Sequence, residues 1–573
     1  MSSRPRAERL ADALVLVAAF AFAAFYARAT AARIGPTFDE TTYVAEGLAV
    51  FRTGSHAGLL RLGTMPLPVD VATFPAAIAE RVAGARFDPR EDLDVLLPLS
   101  RAGALPFLAL LLAAAMRLGR RCGGAWGGRL AALLVAAEPT VLAHGALATT
   151  DVAASALLLG QVEAFLAGRG GSVTRRIGLP GLWAAGALLA KASAVAFGPL
   201  LLLAAEAHRL RSAGRLSSLR ASREELRPFV ADLARIAGVA LLGALLYCGS
   251  DFRAEKSFVA WARGLDGPTG PPARLVAENL RVFPNAVEGI VRQLKHNVLG
   301  HGAFLLGHAY RRAVPWYFPA ALALKLSPGV LLALLLLLVA RPRTLANAAG
   351  AGALALLALS FAYRVQIGVR LVLPLVAMLL VAVAAAAAAA AREARSVRLA
   401  GALAALLPLS ALAASLRAYP DALCYANPLA GGTDGAYRAL SDSNCDWGQG
   451  LPELRRACAA RGLSSLDVWY FGTDPAAGRP PFRRVDLLEP RRRDLREVAA
   501  LLSGDLLAVG TTLLHGAYVR AEAAPWLDDL RRREPAFRTR TSLVYDLSGE
   551  RRRNAAATVP RPSSRAGASQ ERP

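Results

Sequence analysis

The feature that most constrains this chain is the length of its apolar segments. Residues 371–391, LVLPLVAMLLVAVAAAAAAAA, carry no charged side chain and are long enough to cross the hydrocarbon core of a bilayer. Similar segments recur along most of the chain, and the mean hydropathy of the whole is +0.37. Because a large soluble protein does not need such uninterrupted runs, the sequence predicts an α-helical, polytopic membrane protein.

Eleven membrane-spanning segments are predicted. The first covers residues 11–33, whose apolar run is too long for a typical signal peptide. Region 177–206 has basic flanks on both sides, so we divide it into two short helices that turn near Lys191. The remaining predicted spans are 96–117, 129–146, 148–167, 232–250, 316–340, 345–362, 370–391 and 397–416.

The net charge of +24 comes almost entirely from arginine, and the arginines cluster between the apolar segments. This distribution disfavours nucleic-acid binding, which needs one continuous basic face, so no nucleic acid is expected as a partner. With an odd number of spans and a cytoplasmic N-terminus, every remaining basic loop falls on the cytoplasmic side. Residues 34–95, residues 251–315 and everything after residue 417 then lie outside.

The C-terminal part of the chain changes character. Short strand patterns alternate with helical patterns there, which predicts a small extracytoplasmic α/β domain over residues 417–550, after a transmembrane domain over 1–416. The tail, 551–573, is rich in Arg, Ser and Pro and is expected to be disordered. The strand patterns are 467–473, 505–512 and 541–547, and the helical patterns lie near 449–462, 491–503 and 525–533.

Metal binding has weak support in the sequence. The five cysteines lack metal-ligand spacing, although a Cys424–Cys445 or a Cys445–Cys458 disulfide stays open for an external domain. A calcium-loop pattern is broken where Trp447 replaces the turning glycine, so an Asx-turn is favoured. A divalent metal is therefore not required, and no metal ligand is assigned. The residues concerned are His296, His301 and His308, spaced unlike a zinc pair, and Asp442, Asn444, Asp446 and Glu453 of the calcium-loop pattern.

Two adjacent acids, Asp39 and Glu40, follow the first span in the stretch GPTFDETTYVAEGL. Thr37 and Glu40 have the spacing of a capping box, which accounts for Glu40 as a structural residue. The same box does not require Asp39. A carboxylate at the membrane surface can instead accept the proton of an attacking hydroxyl group.

Asp151 lies in the predicted turn between the third and fourth spans, next to apolar residues. An acid at that position indicates a functional site, although an N-cap formed by Thr150 or Asp151 is the structural alternative. Cations gather on the same side. Each of them can reach the membrane surface by snorkelling, but Arg364 and Arg370 share one short turn and could together clamp a phosphate. These cations are Lys191, Lys325, Arg364 and Arg370.

Several motifs together indicate a family. The sequence resembles the bacterial members of glycosyltransferase family 39, GT-C type membrane enzymes related to protein O-mannosyltransferases and to the aminoarabinose transferase of lipid A. The resemblance is carried by PTFDE (36–40), HGALATTD (144–151), AKASAV around Lys191, QIGVR (366–370), YANPLAGG (425–432), SDSNCDWGQGLPELR (441–455) and YFGTDPA (470–476).

This resemblance implies a GT-C-like fold and the transfer, with inversion, of a hexose or pentose from a polyprenyl-phosphate donor. The acceptor would be a protein, lipid or glycan at the outer face of the bacterial inner membrane. Asp39 would be the base, Glu40 would support it and Asp151 would orient a substrate. Arg370 would bind the donor phosphate. Beside the resemblance, the residues themselves make Arg364 and Lys191 further candidates for the donor phosphate, and His301 and Lys325 candidates for substrate contacts.

Two other classes of function stay open at this level. A lipid or lipid-linked-sugar transporter would also use intramembrane charges, but it predicts paired internal repeats, and none is recognised in the sequence. A non-catalytic scaffold of the cell envelope would use the C-terminal domain as a binding module.

Overall fold

The computed structural model describes residues 6–215, 219–394, 397–488, 494–519 and 524–558. Within these ranges, five helices are long and apolar enough to cross a membrane, and a sixth span results if one bent pair is counted together. The chain is thus a multi-pass membrane protein. The number of eleven spans stays a prediction, because several predicted spans form shorter helices.

Within the described ranges, the helical part of the chain contains nineteen α-helices, many of them short. They are α1 Arg6–Ala31, α2 Glu40–Thr53, α3 Ala57–Arg61, α4 Leu67–Ala83, α5 Leu93–Ala137, α6 Pro139–Gly145, α7 Asp151–Gly168, α8 Leu179–Ala190, α9 Ala194–Ser212, α10 Leu219–Cys248, α11 Lys256–Arg263, α12 Gly270–Asn279, α13 Asn285–Leu299, α14 Tyr317–Lys325, α15 Pro328–Ala340, α16 Pro342–Leu345, α17 Ala348–Ser360, α18 Leu373–Arg392 and α19 Val397–Ala418.

Breaks in these helices match some predicted boundaries and not others. The predicted turn near Lys191 is confirmed, since α8 ends at Ala190 and α9 begins at Ala194. The predicted span 96–117 and residues 129–137 of the next predicted span both lie in α5, which is interrupted between them by a kink at Gly124, where φ is 71°. The rest of the predicted span 129–146 forms α6. The predicted span 316–340 is divided into α14 and α15, which meet at an angle of 116°.

Helix α18 forms the centre of the helical part. In its most apolar stretch, within Val369–Arg392, 89% of the residues are buried. The helix packs against α5, α7, α17 and α19. The run of alanines allows this close packing, since a Cβ placed on Gly123 of α5 would lie only 2.7 Å from the Ala385 backbone. Small residues therefore hold the helix that carries Arg370 just before its first turn.

A mixed five-stranded sheet organises the C-terminal domain, in the order β4-β3-β5-β7-β6. Strand β3 pairs in parallel with β4 and β5, whereas β7 is antiparallel to β5 and β6. All three predicted strands and all three predicted helices are present. A separate hairpin, β1 Ala303–Leu305 with β2 His308–Tyr310, precedes α14. The domain contains β3 Leu466–Trp469, β4 Phe482–Arg484, β5 Leu506–Gly510, β6 Phe537–Arg538, β7 Ser542–Asp546, α20 Gly432–Gly435, α21 Leu451–Ala459, α22 Leu495–Leu501, α23 Thr511–His515, α24 Trp526–Arg532 and α25 Ser548–Thr558.

Two expectations about this domain need correction. The tail predicted to be disordered from residue 551 begins as a helix, because α25 runs from Ser548 to Thr558, and Glu550 in its first turn pairs with Arg533 and Arg553. The rest of that tail, 559–573, lies outside the described residues. All five cysteines are free, so neither open disulfide is formed.

Candidate active site

A cavity of about 450 Å³ lies between the start of the helical spans and the C-terminal domain. Its charged lining comes from four separate places in the chain: the loop before α2, the break between α8 and α9, the turn before α18, and Asp442 of the C-terminal domain. The C-terminal domain supplies an aromatic wall of Trp447, Phe471 and Tyr518. The charged and histidine side chains in the lining are Asp39, Lys191, His296, His301, Arg370 and Asp442.

Four of the predicted residues form one ion-pair cluster, which we call the cavity cluster: Asp39, Asp151, Lys191 and Arg370. The Arg370 guanidinium donates to Asp39 Oδ2 at 3.0 Å and lies 3.9 Å from Asp151 Oδ2. Lys191 Nζ donates to the other oxygen of Asp151. Two cations thus face two carboxylates, in a cluster where Asp39 still exposes 23% of its side chain.

Asp151 is not a helix cap in this arrangement. It is the first residue of α7, the side chain of Thr150 makes no capping hydrogen bond, and the Asp151 carboxylate points to the two cations instead. Its Oδ2 is fully buried and has no hydrogen-bond partner within the described ranges. A buried carboxylate oxygen without a donor is costly, which is typical of a site that receives a ligand or orients a cation.

The segment SDSNCDWGQG positions Arg370. Ser443 Oγ accepts a hydrogen bond from Arg370 Nε at 3.1 Å, and the Trp447 ring lies 4.0 Å from the guanidinium carbon. Asn444 Oδ1 accepts the backbone N–H of Val369 at 3.0 Å. Gly368 has φ 147°, and a Cβ there would lie 2.2 Å from Ser443 Oγ, so only glycine permits this close approach. These contacts therefore fix both the position and the orientation of the Arg370 guanidinium.

The same segment also holds the loop that carries Asp39. The backbone N–H of Phe38 donates to the Trp447 carbonyl at 2.8 Å, and the N–H of Gly35 donates to the Gln449 carbonyl at 2.8 Å. The Phe38 ring stacks on Phe471 with 5.5 Å between ring centroids. One stretch of the C-terminal domain thus aligns the acid loop with the arginine turn, although the two are far apart in sequence.

Glu40 points away from the cavity. Its carboxylate forms a bidentate ion pair with Arg101, at 2.9 and 2.8 Å, and accepts the backbone N–H groups of Thr37 and Ala148, each at 2.9 Å. Burial alone would raise the pKa of Glu40, but the charge and hydrogen bonds of Arg101 outweigh it and lower that pKa. One half of the predicted capping box is formed, since the Glu40 carboxylate accepts the backbone N–H of Thr37. Helix α2 begins at Glu40.

Two further pairs of titratable groups line the cavity. His296 Nε2 and His301 Nε2 lie 2.6 Å apart, and burial lowers the pKa of both rings. Across the cavity, the Tyr518 hydroxyl donates to Asp442. Burial raises the pKa of Asp442 to about 6, although Tyr518 and Arg370 oppose the shift. Asp442 is therefore a wall residue of the cavity whose protonation changes near pH 6, whereas burial favours the neutral form of both histidines.

The remaining predicted substrate contacts lie elsewhere. Lys325 is 2% exposed and donates to the carbonyl groups of Leu423 and Asn444, each at 2.7 Å. Arg364 is outside the cavity lining and donates to the Val298 carbonyl at 3.3 Å. The expected Arg364–Arg370 clamp therefore does not form in this structure. Over the described residues, no group of three or more His, Cys, Asp or Glu side chains is placed to hold a metal ion.

Sequence reasoning missed several residues of this site, namely Arg101, Ser443, Trp447 and Tyr518. The SDSNCDWGQG stretch did stand out, and its unusual density of small polar residues beside a tryptophan was the available signal. Tyr518 gave no signal, because nothing in its local sequence links it to Asp442.

Of the comparisons with known proteins, the one with solved structures found similarities. No family model and no curated protein matches the sequence. ArnT from Cupriavidus metallidurans bound to undecaprenyl phosphate is similar at 15% identity, over 92% of this chain and 97% of that one, with a TM-score of 0.45. The apo oligosaccharyltransferase of Archaeoglobus fulgidus is similar at 12% identity over 90% and 72%, with a TM-score of 0.43.

A third similarity is to oligosaccharyltransferase AglB from Archaeoglobus fulgidus in complex with an inhibitory peptide and a dolichol-phosphate. It has 14% identity over 76% of this chain and 57% of that one, with a TM-score of 0.39. Likeness at this level says what the chain is similar to, and the functional conclusion has to rest on the geometry of the cavity.

Proposed function

We propose that this protein is a membrane glycosyltransferase that moves a sugar from a polyprenyl-phosphate donor to an acceptor. The observation that carries the proposal is the cavity cluster, in which a partly exposed carboxylate, Asp39, lies beside two cations, Arg370 and Lys191, at the start of apolar spans. The family motifs in the sequence support the same assignment, because they contain these three residues.

The chemistry follows from the charges. Asp39 accepts the proton of the acceptor hydroxyl as that oxygen attacks the anomeric carbon. The new glycosidic bond forms while the bond between the anomeric carbon and the phosphate oxygen breaks, and the electron pair leaves with the polyprenyl phosphate. Arg370 and Lys191 stabilise the negative charge on that leaving group. Direct displacement on this path inverts the configuration of a hexose or pentose.

The residues that hold Arg370 support this role for it. Ser443 and Trp447 hold the guanidinium in one orientation, so little reorganisation is needed as charge develops on the phosphate. Asp151, between Lys191 and Arg370, orients both cations. His301 is close enough to the cluster to contact substrate, since it lines the same cavity. Glu40 supports Asp39 through the fold of its loop.

The location of the reaction is also part of the proposal. The positive-inside rule places the cavity at the outer face of the bacterial inner membrane, with the C-terminal domain extracytoplasmic. A protein, lipid or glycan acceptor would then approach from that side, and the lipid donor would enter from the bilayer.

The experiment is a transfer assay with purified protein and a polyprenyl-phosphate-linked sugar. Asp39→Asn should lower transfer by about 100- to 10,000-fold, which is the usual contribution of general-base catalysis. The matched control is Asp266→Asn, an equivalent change at an exposed acid away from the cavity, which should retain full activity. Full transfer by Asp39→Asn would remove the assignment of the base, and no transfer by the wild type would favour a transporter or a scaffold.

A further inference from the structure

A second and larger cavity, of about 930 Å³, lies at the opposite end of the helical spans. Helices α18 and α9 run from the candidate active site to this second cavity. Arg370 precedes the first turn of α18 and Glu393 follows its last, and the 20 residues of α18 correspond to about 30 Å of helix. Lys191 likewise lies just before the first turn of α9, and Arg209 lies in its last turn. We call this second site the basic cavity.

Arginine dominates the charge of the basic cavity. Arg121, Arg209, Arg341 and Arg343 line it, and Glu393 is the single carboxylate among the described lining residues. Arg121 and Arg209 pair with Glu163 and Glu206 behind the cavity wall.

The pairing on the rim is weaker. Arg341 is 3.4 Å from Glu393, in a pair that is half exposed on both sides, and Arg343 is exposed with no partner in the described part of the chain. Among the residues that the structure describes, the basic cavity thus keeps more positive than negative side chains in its lining.

Its shape and its position add to the charge. Basic residues at the ends of spans are ordinary and usually point separately into water. Here, residues from α5, α9 and the α15–α17 region converge on one concave space. Such basic pockets between spans are typical binding sites for anionic lipid headgroups.

The neighbouring surface indicates a lipid as the source of the anion. Ala340 forms part of the rim, and the helix that ends there, α15, leaves its apolar residues largely uncovered. Val339 is 77% exposed, and Leu335 and Leu336 are more than half exposed. A phosphate held by Arg341 and Arg343 would therefore lie directly beside an apolar surface that suits acyl chains.

We propose that the basic cavity binds the phosphate headgroup of an anionic phospholipid at the membrane face opposite the candidate active site. This binding does not depend on the glycosyltransferase assignment, because none of its residues belongs to the cavity cluster. It would anchor the α15–α17 region and the end of α18 to the bilayer.

The test is native mass spectrometry of the full-length protein in detergent, titrated with phosphatidylglycerol or with phosphatidylcholine of the same chain length. The wild type should bind phosphatidylglycerol about tenfold more tightly than phosphatidylcholine, and R341Q/R343Q should lose that preference. The matched control, R86Q/R90Q, removes two exposed arginines at the other end of the molecule and should keep it. Arg343→Gln alone, which breaks no ion pair within the described residues, should lose part of the preference.

Other outcomes would overturn the proposal. Equal binding of the two lipids by the wild type would exclude a headgroup site, and so would an unchanged preference in both arginine variants. A third titration uses glycerol 1-phosphate as the free anion. Displacement of phosphatidylglycerol by an equal concentration of glycerol 1-phosphate would identify a site for soluble phosphate compounds and would contradict the lipid assignment.

Discussion

Two arginine–carboxylate clusters lie next to each other in this protein, and they differ in how completely their charges are satisfied. In one, Glu40 and Arg101 are 0% and 3% exposed, and every oxygen of Glu40 accepts hydrogen bonds. In the cavity cluster, Asp39 is 23% exposed and one oxygen of Asp151 has no donor in the described ranges. Adjacent acids in one short loop thus have different environments.

The difference separates an ion pair whose hydrogen bonds are all satisfied from one that still has room for a ligand. The Glu40–Arg101 pair joins the loop before α2 to α5, and Arg101 also donates to the Gly35 carbonyl at 2.7 Å, so it fixes the loop that presents Asp39. The cavity cluster keeps unused hydrogen-bonding capacity that a phosphate and an acceptor can satisfy. The comparison therefore predicts that changes at Glu40 affect stability, whereas changes at Asp39 affect chemistry.

The largest expected effect on stability belongs to Glu40→Gln. The change leaves Arg101 buried without a counter-charge, which should lower the free energy of unfolding by about 3–5 kcal/mol. Unfolding in detergent, followed by tryptophan fluorescence, measures it. Since the folded protein lowers the pKa of Glu40 below its ordinary value of 4.5, the wild type should lose this advantage as the pH falls below 4.5.

Asp39→Asn provides the matched control for that experiment. Arg370 keeps Asp151 and Ser443 as partners, and Asp39 is partly exposed, so the change should cost about 1 kcal/mol or less. If Glu40→Gln and Asp39→Asn lowered the free energy of unfolding equally, the two clusters would not differ as described.

Arg370 gives the next largest effect. Arg370→Gln should reduce sugar transfer by about 10- to 100-fold, because charge-assisted hydrogen bonds to the donor phosphate are lost. Arg364→Gln, six residues earlier on the exposed side of the same loop, should leave transfer unchanged. On sequence grounds both arginines belonged to a possible phosphate clamp, and the family resemblance assigned the donor phosphate to Arg370. A loss of transfer in Arg364→Gln, with Arg370→Gln unaffected, would reverse their roles.

Much of this architecture could be predicted from the sequence, because it depends on local patterns. Apolar length identified the membrane helices, basic flanks located the break at Lys191, and strand alternation identified β3, β5 and β7. The acid loop, Asp151, Lys191 and Arg370 were also found, since charges beside apolar segments are unusual.

The side-chain partners that the sequence did not predict depend on contacts between distant segments. Nothing near Arg364 indicates that its side chain turns away from Arg370, and nothing near Lys325 indicates that two carbonyl groups hold it in the core. The pairing of Glu40 with Arg101 also needs the packing of α5 against the first loop. Sequence patterns identified the charged residues but not their partners.

Asp442 tests the electrostatics of the cavity wall. Burial raises its pKa to about 6, so the wild type should lose stability as the pH rises through 6, when the buried carboxylate ionises. Asp442→Asn keeps an acceptor for Tyr518, and asparagine tolerates the positive φ of 56° at this position. The variant should be more stable than the wild type at pH 8, by on the order of 2 kcal/mol. The advantage should shrink toward pH 4, and thermal midpoints measured across this range would detect the trend.

Ser443→Ala should give the smallest effect. It removes the hydrogen bond from Arg370 and the one that Ser443 Oγ donates to the Ile367 carbonyl, and it leaves the Trp447 contact and both carboxylates in place. Transfer should fall by about fivefold, which corresponds to the usual contribution of one hydrogen bond. Ser503→Ala, a change of the same kind in the C-terminal domain away from the cavity, is the control, and an equal loss in both variants would argue against a specific role in orienting Arg370.

The central claim is that Asp39 acts on the proton of the acceptor and Arg370 acts on the phosphate of the donor. Measuring donor binding and single-turnover transfer on the same preparation of Asp39→Asn tests it most directly. We expect a donor dissociation constant within about threefold of the wild type and a loss of transfer of at least about 100-fold. Transfer at the wild-type rate, or loss of donor binding with the chemical step unchanged, would contradict it.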